Sequence, residues 1–227
     1  MKYVSGSLLI GLILFGSCKE MTSSKEVVKE KVEFNQELAN ELKEMYEIDQ
    51  IAAYLPQGKY KELSREEWKI FKDSVFTTNQ KRLKEIFDKH GYVGYDLAGK
   101  EGAQNFWAIV QHSDHNPNFQ KRVLEKMKIE VEKGNVKPSH YALLIDRVNN
   151  NSGEKQIYGT QVSYNTNTGQ AYIKDLADSL TVNKRREKMG LESLENYLNS
   201  MTQAHFEMNK KHYINEGVTE PKLYKRE

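Results

Sequence analysis

Two histidines and an aspartate follow an apolar stretch in WAIVQHSDHNPNF, residues 107–119. An imidazole titrates near neutral pH, so it can carry a proton in a reaction or hold a ligand through a hydrogen bond. His112 is the candidate proton carrier in this segment. Asp114, two positions on, and Asp146, in the apolar context ALLIDRV, are the candidate carboxylates that orient it. These three residues form the candidate catalytic set.

A metal site is the weaker interpretation of the same segment. His112 and His115 would share a face only if the helix continued, and zinc needs three or four converging ligands. Asn116 precedes Pro117, and a residue before proline avoids the helical region, which predicts a corner between two helices. The segment is similar to the end of the HxHxDH signature of metallo-hydrolases, but Val110 stands where the first histidine belongs, and no HExxH occurs. No cofactor is predicted.

Arg147 and the segment QIYGTQ add groups that could bind a ligand. A charge within ALLIDRV needs a partner, so Arg147 either pairs with an acid such as Asp114 or Asp96 and fixes the fold, or holds an anionic ligand. QIYGTQ is predicted to be a strand, and its glycine indicates either close approach of a ligand or a bulge. The candidate ligand-binding residues are Gln111, Arg147, Tyr158 and Gln161. The nearby run Lys184-Arg185-Arg186 is predicted to cap a helix or to lie in solvent.

The elements that must position these groups are mostly helices. Apolar residues recur at spacings of three and four, which predicts amphipathic helices. Ser64 and Glu67 form a capping box, Asn116-Pro117 forms a helix start, and Gly91 and Gly134 end helices. The helices are predicted over 35–55, 63–91 with an interruption near Thr77, 103–113, 118–134, 138–148 and 191–213. The stretch 91–102 is predicted to be a loop, and 156–164 and 169–176 a β-hairpin.

The amino terminus predicts export and lipidation. Lys2, a short apolar stretch and Gly16-Ser17 before Cys18 are typical of a secretory signal, and the apolar part is too short for a membrane span. FGSC resembles the bacterial lipoprotein box. We therefore expect residues 1–17 to be a lipoprotein signal peptide, with a lipid such as palmitate at Cys18. The protein is expected in the cell envelope, anchored to the outer membrane on its periplasmic face or on the cell surface.

Composition and charge support one domain without nucleic-acid binding. Residues 18–34 are predicted to be a flexible tether, and residues 35–227 a single α-rich domain. The formal net charge is +2, and acids and bases are interspersed, so no basic field predicts nucleic-acid binding. The expected partners are the membrane, through the lipid anchor, and a small-molecule or peptide ligand.

Several segments together resemble a functionally uncharacterised family of bacterial domains. They are GYDLAGKEG, FWAIVQHSDHNPNFQ, SHYALLIDRV, QIYGTQ and VNKRREKMGLESLENYL, within about residues 90–198. The resemblance implies that QHSD, DRV and YGTQ belong to one site or one folding core, and it implies no reaction. AYIKDLAD lacks the proline that follows YGTQ in this family's pattern.

The sequence therefore predicts a mainly α protein, a single helical domain with a small β-hairpin, preceded by a lipoprotein signal and tether. Its expected function is ligand binding in a polar cleft. The alternative is a non-enzymatic structural or interaction lipoprotein whose polar residues form a buried network that locks the fold. A hydrolase that uses His112 with carboxylates is a further, weaker alternative.

Overall fold

The computed structural model describes residues 32–225, which belong to one compact unit. The predicted signal peptide, Cys18 and tether residues 19–31 lie outside the described residues. The described chain is mainly α-helical with one two-stranded antiparallel hairpin, which confirms the predicted fold class. None of the described helices has both the length and the hydrophobicity needed to cross a membrane.

The helices and strands follow one another along the chain with short connections. The α-helices are α1 (Gln36–Ala53), α2 (Arg65–His90), α3 (Tyr95–Gln111), α4 (Pro117–Glu132), α5 (Pro138–Asn151), α6 (Val182–Lys188), α7 (Leu194–Met208) and α8 (Lys210–Asn215). The strands are β1 (Val162–Tyr164) and β2 (Ala171–Ile173), and short 3-10 helices cover Gly58–Glu62 and Ser179–Thr181.

Helices α1, α2 and α3 pack side by side. The Asn35 amide donates to the Leu97 carbonyl at the start of α1, and Asp49 contacts His112 at its other end, so α1 and α3 run parallel. Helix α2 runs antiparallel to α1, because Asn79 donates to the Met45 carbonyl and Arg82, one turn later on α2, pairs with Glu41, one turn earlier on α1. Helices α1 to α5 enclose an apolar core. Its fully buried members include Leu42, Leu83, Phe106, Ile109, Val110, Met127 and Leu144.

Local signals explain where these helices begin and end. The Ser64–Glu67 capping box is present at α2, and the Asn116 side chain accepts from the Phe119 amide at the start of α4. The predicted interruption near Thr77 is wrong, since α2 is continuous. The loop predicted for 91–102 is wrong in its second half, because α3 already begins at Tyr95. Gly99, at φ +70°, breaks its helical geometry instead.

A second apolar cluster joins the hairpin to α6 and α7. Its buried residues are Ala171, Val182, Leu194 and Leu198. The strand predicted for QIYGTQ is wrong, because residues 156–161 form an irregular segment and pairing starts at Val162 with Ile173. The predicted last helix divides at Asn209 into α7 and α8.

Candidate functional site

His112 lies at the end of α3 and is held there by a buried carboxylate of α1. Its Nδ1 is 2.7 Å from Oδ2 of Asp49, whose side chain is fully buried, whereas the His112 side chain is 23% exposed. The Phe76 ring of α2 covers one side of the imidazole at 5.3 Å between centroids. A carboxylate at Nδ1 favours the tautomer with its proton on Nδ1, which leaves the Nε2 lone pair available.

Asp49 is not among the site residues predicted from the sequence, although its position in the sequence indicates a buried acid. Leu42, Met45, Asp49 and Ala52 follow one another at spacings of three and four, so Asp49 interrupts the apolar face of α1. An acid on such a face must find a partner when the helix packs. The side chain of Gln50 also donates to Asp49 Oδ2, at 3.0 Å.

The three helices that meet at this pair carry further buried polar atoms. Asp49 Oδ1, Gln80 Nε2 and Asn105 Nδ2 are buried without a hydrogen-bond partner among the described residues, as is the Tyr92 hydroxyl. Gln80 lies one turn after Phe76 on α2, and Asn105 lies two turns before His112 on α3, so both share a face with a residue of the site. Buried polar groups are nearly always paired, so this region has unused hydrogen-bonding capacity.

Asp114 does not orient His112. It accepts two hydrogen bonds from the guanidinium of Arg147, from Nε to Oδ1 at 2.8 Å and from Nη2 to Oδ2 at 2.5 Å. Gln120 and Asn151 also donate to its Oδ1. Of the two alternatives for Arg147, the structure shows the pairing with an acid that fixes the fold. This pair ties α5 to the corner between α3 and α4.

Gln111 and His115 lie on either side of the corner. The backbone carbonyl of Gln111 accepts from Gln120 Nε2 at 3.3 Å, and the Gln111 side chain is half-buried. His115 is exposed in the corner itself. Within residues 32–225, no group of three or more histidines, cysteines or acids is placed to hold a metal ion.

Asp146 holds the irregular segment rather than His112. Its side chain is fully buried, and its two oxygens accept from the backbone amides of Ile157, Tyr158 and Thr160 at 2.6–3.2 Å. Burial raises the pKa of Asp146, and the amide hydrogen bonds oppose that shift. The predicted role of Asp146 as the partner of His112 is therefore wrong, because the carboxylate at His112 is that of Asp49.

Arginines occupy the carbonyl side of the same segment. Arg186 is buried, donates to the carbonyls of Tyr158, Gly159 and Glu192 at 2.7–3.0 Å, and lies over the Tyr197 ring. Burial lowers the pKa of its guanidinium. Arg185 donates to the Ile157 carbonyl. The prediction that this basic run caps a helix or lies in solvent is wrong for Arg186, which is part of the core.

The remaining candidate residues belong to this locked segment. The Tyr158 side chain is buried, and burial raises the pKa of its hydroxyl. The Gln161 side chain donates to Thr160 Oγ1. The side-chain amide of Gln156 donates to the Gln161 backbone carbonyl and accepts from the Gln161 backbone N–H. Gly159 has φ +67°, and a Cβ there would lie 3.1 Å from Leu194, so it serves a turn with close packing.

The candidate residues thus separate into two groups. Asp114, DRV, YGTQ and the arginine run are brought together by hydrogen bonds of their side chains to one another and to the backbone. His112 and Asp49 form the other group, in which Nε2 of a partly exposed imidazole stays open. Ser113 supplies no nucleophile beside His112, because it is buried and its hydroxyl donates to the Ile109 carbonyl.

Comparison with known proteins places the chain in a family rather than beside a characterised relative. No curated protein and no solved structure matches it. A family described as having unknown function matches residues 36–210, which include both groups of candidate residues. Since this match covers more than half of the chain, the protein belongs to the family of unknown function DUF6624.

Proposed function

We propose that this protein is a lipid-anchored bacterial envelope protein whose helical domain binds a small or peptide-like ligand at His112. The single observation that carries the ligand site is the contact between His112 Nδ1 and the buried carboxylate of Asp49. A buried carboxylate fixes the orientation and tautomer of the ring, so that Nε2 can accept a hydrogen bond or a proton from a ligand. The unpaired atoms of Asp49, Gln80 and Asn105 support a polar site at this junction.

Membrane attachment is the other half of the proposal. It is supported by the signal-like residues 1–17 and by Cys18, the chain's one cysteine. We expect the wild-type protein to fractionate with the outer membrane and to incorporate labelled palmitate. Cys18→Ser should abolish both while the domain stays folded, because the domain contains no other cysteine. Labelling of the Cys18→Ser chain, or a wild-type protein free of lipid, would contradict the anchor.

The ligand site is tested with a substitution that separates the two ring nitrogens. In His112→Asn the side-chain amide keeps a donor near the position of Nδ1, so Asp49 stays paired, but Nε2 is removed. The probes are inorganic phosphate and the dipeptide Ala-Ala, whose O–H and N–H groups can donate to Nε2. They are titrated into the mature chain carrying Cys18→Ser and followed by backbone amide shifts around residue 112, which both the parent and the variant report. We expect at least one probe to perturb His112 in the parent chain and to lose its binding in His112→Asn.

The matched control is His115→Ala, which removes an exposed imidazole from the same corner. Probe binding should be unchanged in this variant. A response that is equal in His112→Asn and the parent chain, or that depends on His115, would overturn the site. A peptide-hydrolysing activity lost in His112→Asn would assign the general-base role to His112, acting on a water molecule.

A second candidate function is supported by the hydrogen-bond network around residues 156–161. Asp146 binds its amides, and Arg185, Arg186 and the Tyr197 hydroxyl bind its carbonyls. Such a network fixes the position of α5 against α6 and α7, which suits a structural or interaction lipoprotein. This alternative assigns function to the surface of a rigid domain and leaves His112 without a ligand.

A further inference from the structure

The free ends of α1 and α2 carry apolar side chains that the core does not cover. Ile51, Tyr54, Leu55 and Ile70 are 39%, 67%, 83% and 60% exposed, and we call these four residues the apical patch. All buried residues of α2 lie at or after Asn79, so its first half extends beyond the core. Exposed apolar surface of this kind is typical of an interaction site.

Three aromatic rings and two grooves lie beside the apical patch. The rings of Tyr60, Trp68 and Phe71 pack together with centroids 4.9–5.8 Å apart; Trp68 stacks on Phe71, and Tyr60 meets Trp68 edge to face. A groove of about 440 Å³ lies between the 3-10 helix Gly58–Glu62 and the side chains of Ile51, Tyr54 and Leu55. A second groove, of about 560 Å³, lies beside Ile70. Both grooves share Tyr60. Tyrosine and tryptophan beside leucine and isoleucine suit the boundary between lipid headgroups and acyl chains.

We propose that the apical patch contacts the surface of the membrane to which the protein is anchored. This inference rests on the anchor of the proposed function but not on its ligand site. The chain from Cys18 to Phe34 has 17 residues and reaches about 60 Å at most when extended. The 18 residues of α1 span about 27 Å. The tether is therefore long enough for the anchor and the patch to touch one membrane together.

The charges beside the patch favour an apolar rather than an electrostatic contact. Residues 58–74 contain five basic side chains, Lys59, Lys61, Arg65, Lys69 and Lys72. They also contain four acidic ones, Glu62, Glu66, Glu67 and Asp73, which leaves a net charge of only +1. Long lysine and arginine stems can lie along the lipid surface with their charges in water. We therefore expect binding to change less than about twofold between 50 and 300 mM salt.

Sedimentation with lipid vesicles tests the contact without the anchor. The mature chain carrying Cys18→Ser is mixed with phosphatidylethanolamine vesicles that contain one quarter phosphatidylglycerol. We expect it to partition onto the vesicles. The partition coefficient of the double variant Leu55→Asp/Ile70→Asp should be at least about tenfold lower, because each charge opposes burial in lipid. Both side chains are exposed, so the helical circular dichroism should not change.

Leu180→Asp is the matched control, because Leu180 is 94% exposed on the second 3-10 helix, outside the patch. It should bind vesicles like the parent. A parent that stays in the supernatant, equal losses in both variants, or steep loss of binding with salt would overturn the proposal. So would a concentration-dependent dimer that Leu55→Asp dissociates, since the patch would then belong to a second copy. Probe binding at His112 should persist in the double variant, so the two proposals fail separately.

Discussion

At the residue scale, the buried charges of this protein differ in how completely they are paired. Asp146 accepts from three backbone amides, and Nε and Nη1 of Arg186 donate to three backbone carbonyls, so both side chains are bound mainly to the protein backbone. Asp49 has one oxygen without a protein partner and passes its orienting effect to His112, which reaches solvent. We therefore propose the ligand chemistry at His112 and Asp49, and a role in fold stability for Asp146 and Arg186.

Arg186→Met tests the structural assignment. The substitution keeps much of the side-chain volume but leaves the carbonyls of Tyr158, Gly159 and Glu192 without their donor. We expect the free energy of unfolding to fall by about 3–5 kcal/mol, because each carbonyl left without a donor costs about 1–3 kcal/mol. Urea denaturation measures it, with Lys184→Met, on an exposed neighbour, as the control expected to change little. A loss in Arg186→Met no larger than that of the control would contradict the assignment.

His140 predicts how stability depends on pH. Burial lowers the pKa of His140 to about 4, and Lys137 adds to the shift. Between pH 6.5 and 4 the unfolded chain binds a proton that the folded chain does not, so this part of the stability is complete above pH 6.5 and is lost as the pH falls. Because solvent reaches part of the ring, we expect a loss of only about 1–2 kcal/mol.

The variant His140→Phe isolates that contribution. Phenylalanine can keep the stacking on Trp107, where the two rings are 3.8 Å apart, but it cannot be protonated. The difference in unfolding free energy between the variant and the wild type should therefore vary with pH from 6.5 to 4 and be constant above 6.5. Parallel stability curves over the whole range would show that His140 is not buried as described.

At the element scale, the central feature is an irregular segment held as firmly as regular structure. Residues 156–161 belong to neither a helix nor a strand, yet the amides of Ile157, Tyr158 and Thr160 donate to Asp146. An isolated bridge between Gln156 and Leu176 joins the segment to the chain beyond β2. The segment thus links α5 to the hairpin and to α6.

Hydrogen exchange measures this restraint directly. The amides of Ile157, Tyr158 and Thr160 should exchange slowly in the wild type. In Asp146→Asn the side chain has one acceptor oxygen instead of two, so we expect exchange to accelerate about ten- to a hundredfold. Asp175→Asn replaces an exposed acid near the segment and should leave the three rates unchanged. Fast exchange in the wild type would contradict the described network.

The elements also show what the sequence could and could not predict. Helix starts at Ser64 and Asn116 were predictable because a cap is a local interaction of side chain and backbone. The course of QIYGTQ was not, because Tyr158, Thr160 and their neighbours have strand propensity that the distant Asp146 and Arg186 override. The pairing of His112 with Asp49 joins residues 63 positions apart. Only the apolar face that Asp49 interrupts indicated a buried acid.

At the scale of the whole molecule, the structural network and the two proposed binding sites lie on different helices. The hairpin, α6 and α7 are fixed to α5 by the hydrogen-bond network around residues 156–161. The bundle of α1, α2 and α3 carries the pair His112–Asp49, with the apical patch at its free end. The ligand site and the membrane contact are therefore proposed on the same three helices, and the remaining helices support them.

The central claim is that His112 presents an open Nε2, oriented by Asp49, at the surface of this bundle. Modification by diethyl pyrocarbonate, located by peptide mass spectrometry in the folded chain, tests it most directly because the reagent attacks an accessible, unprotonated imidazole nitrogen. We predict that His112 is modified and that Asp49→Asn slows this reaction, while exposed His115 reacts equally in both chains. Modification of His115 without modification of His112 would contradict the claim, because His112 would then be closed within the fold.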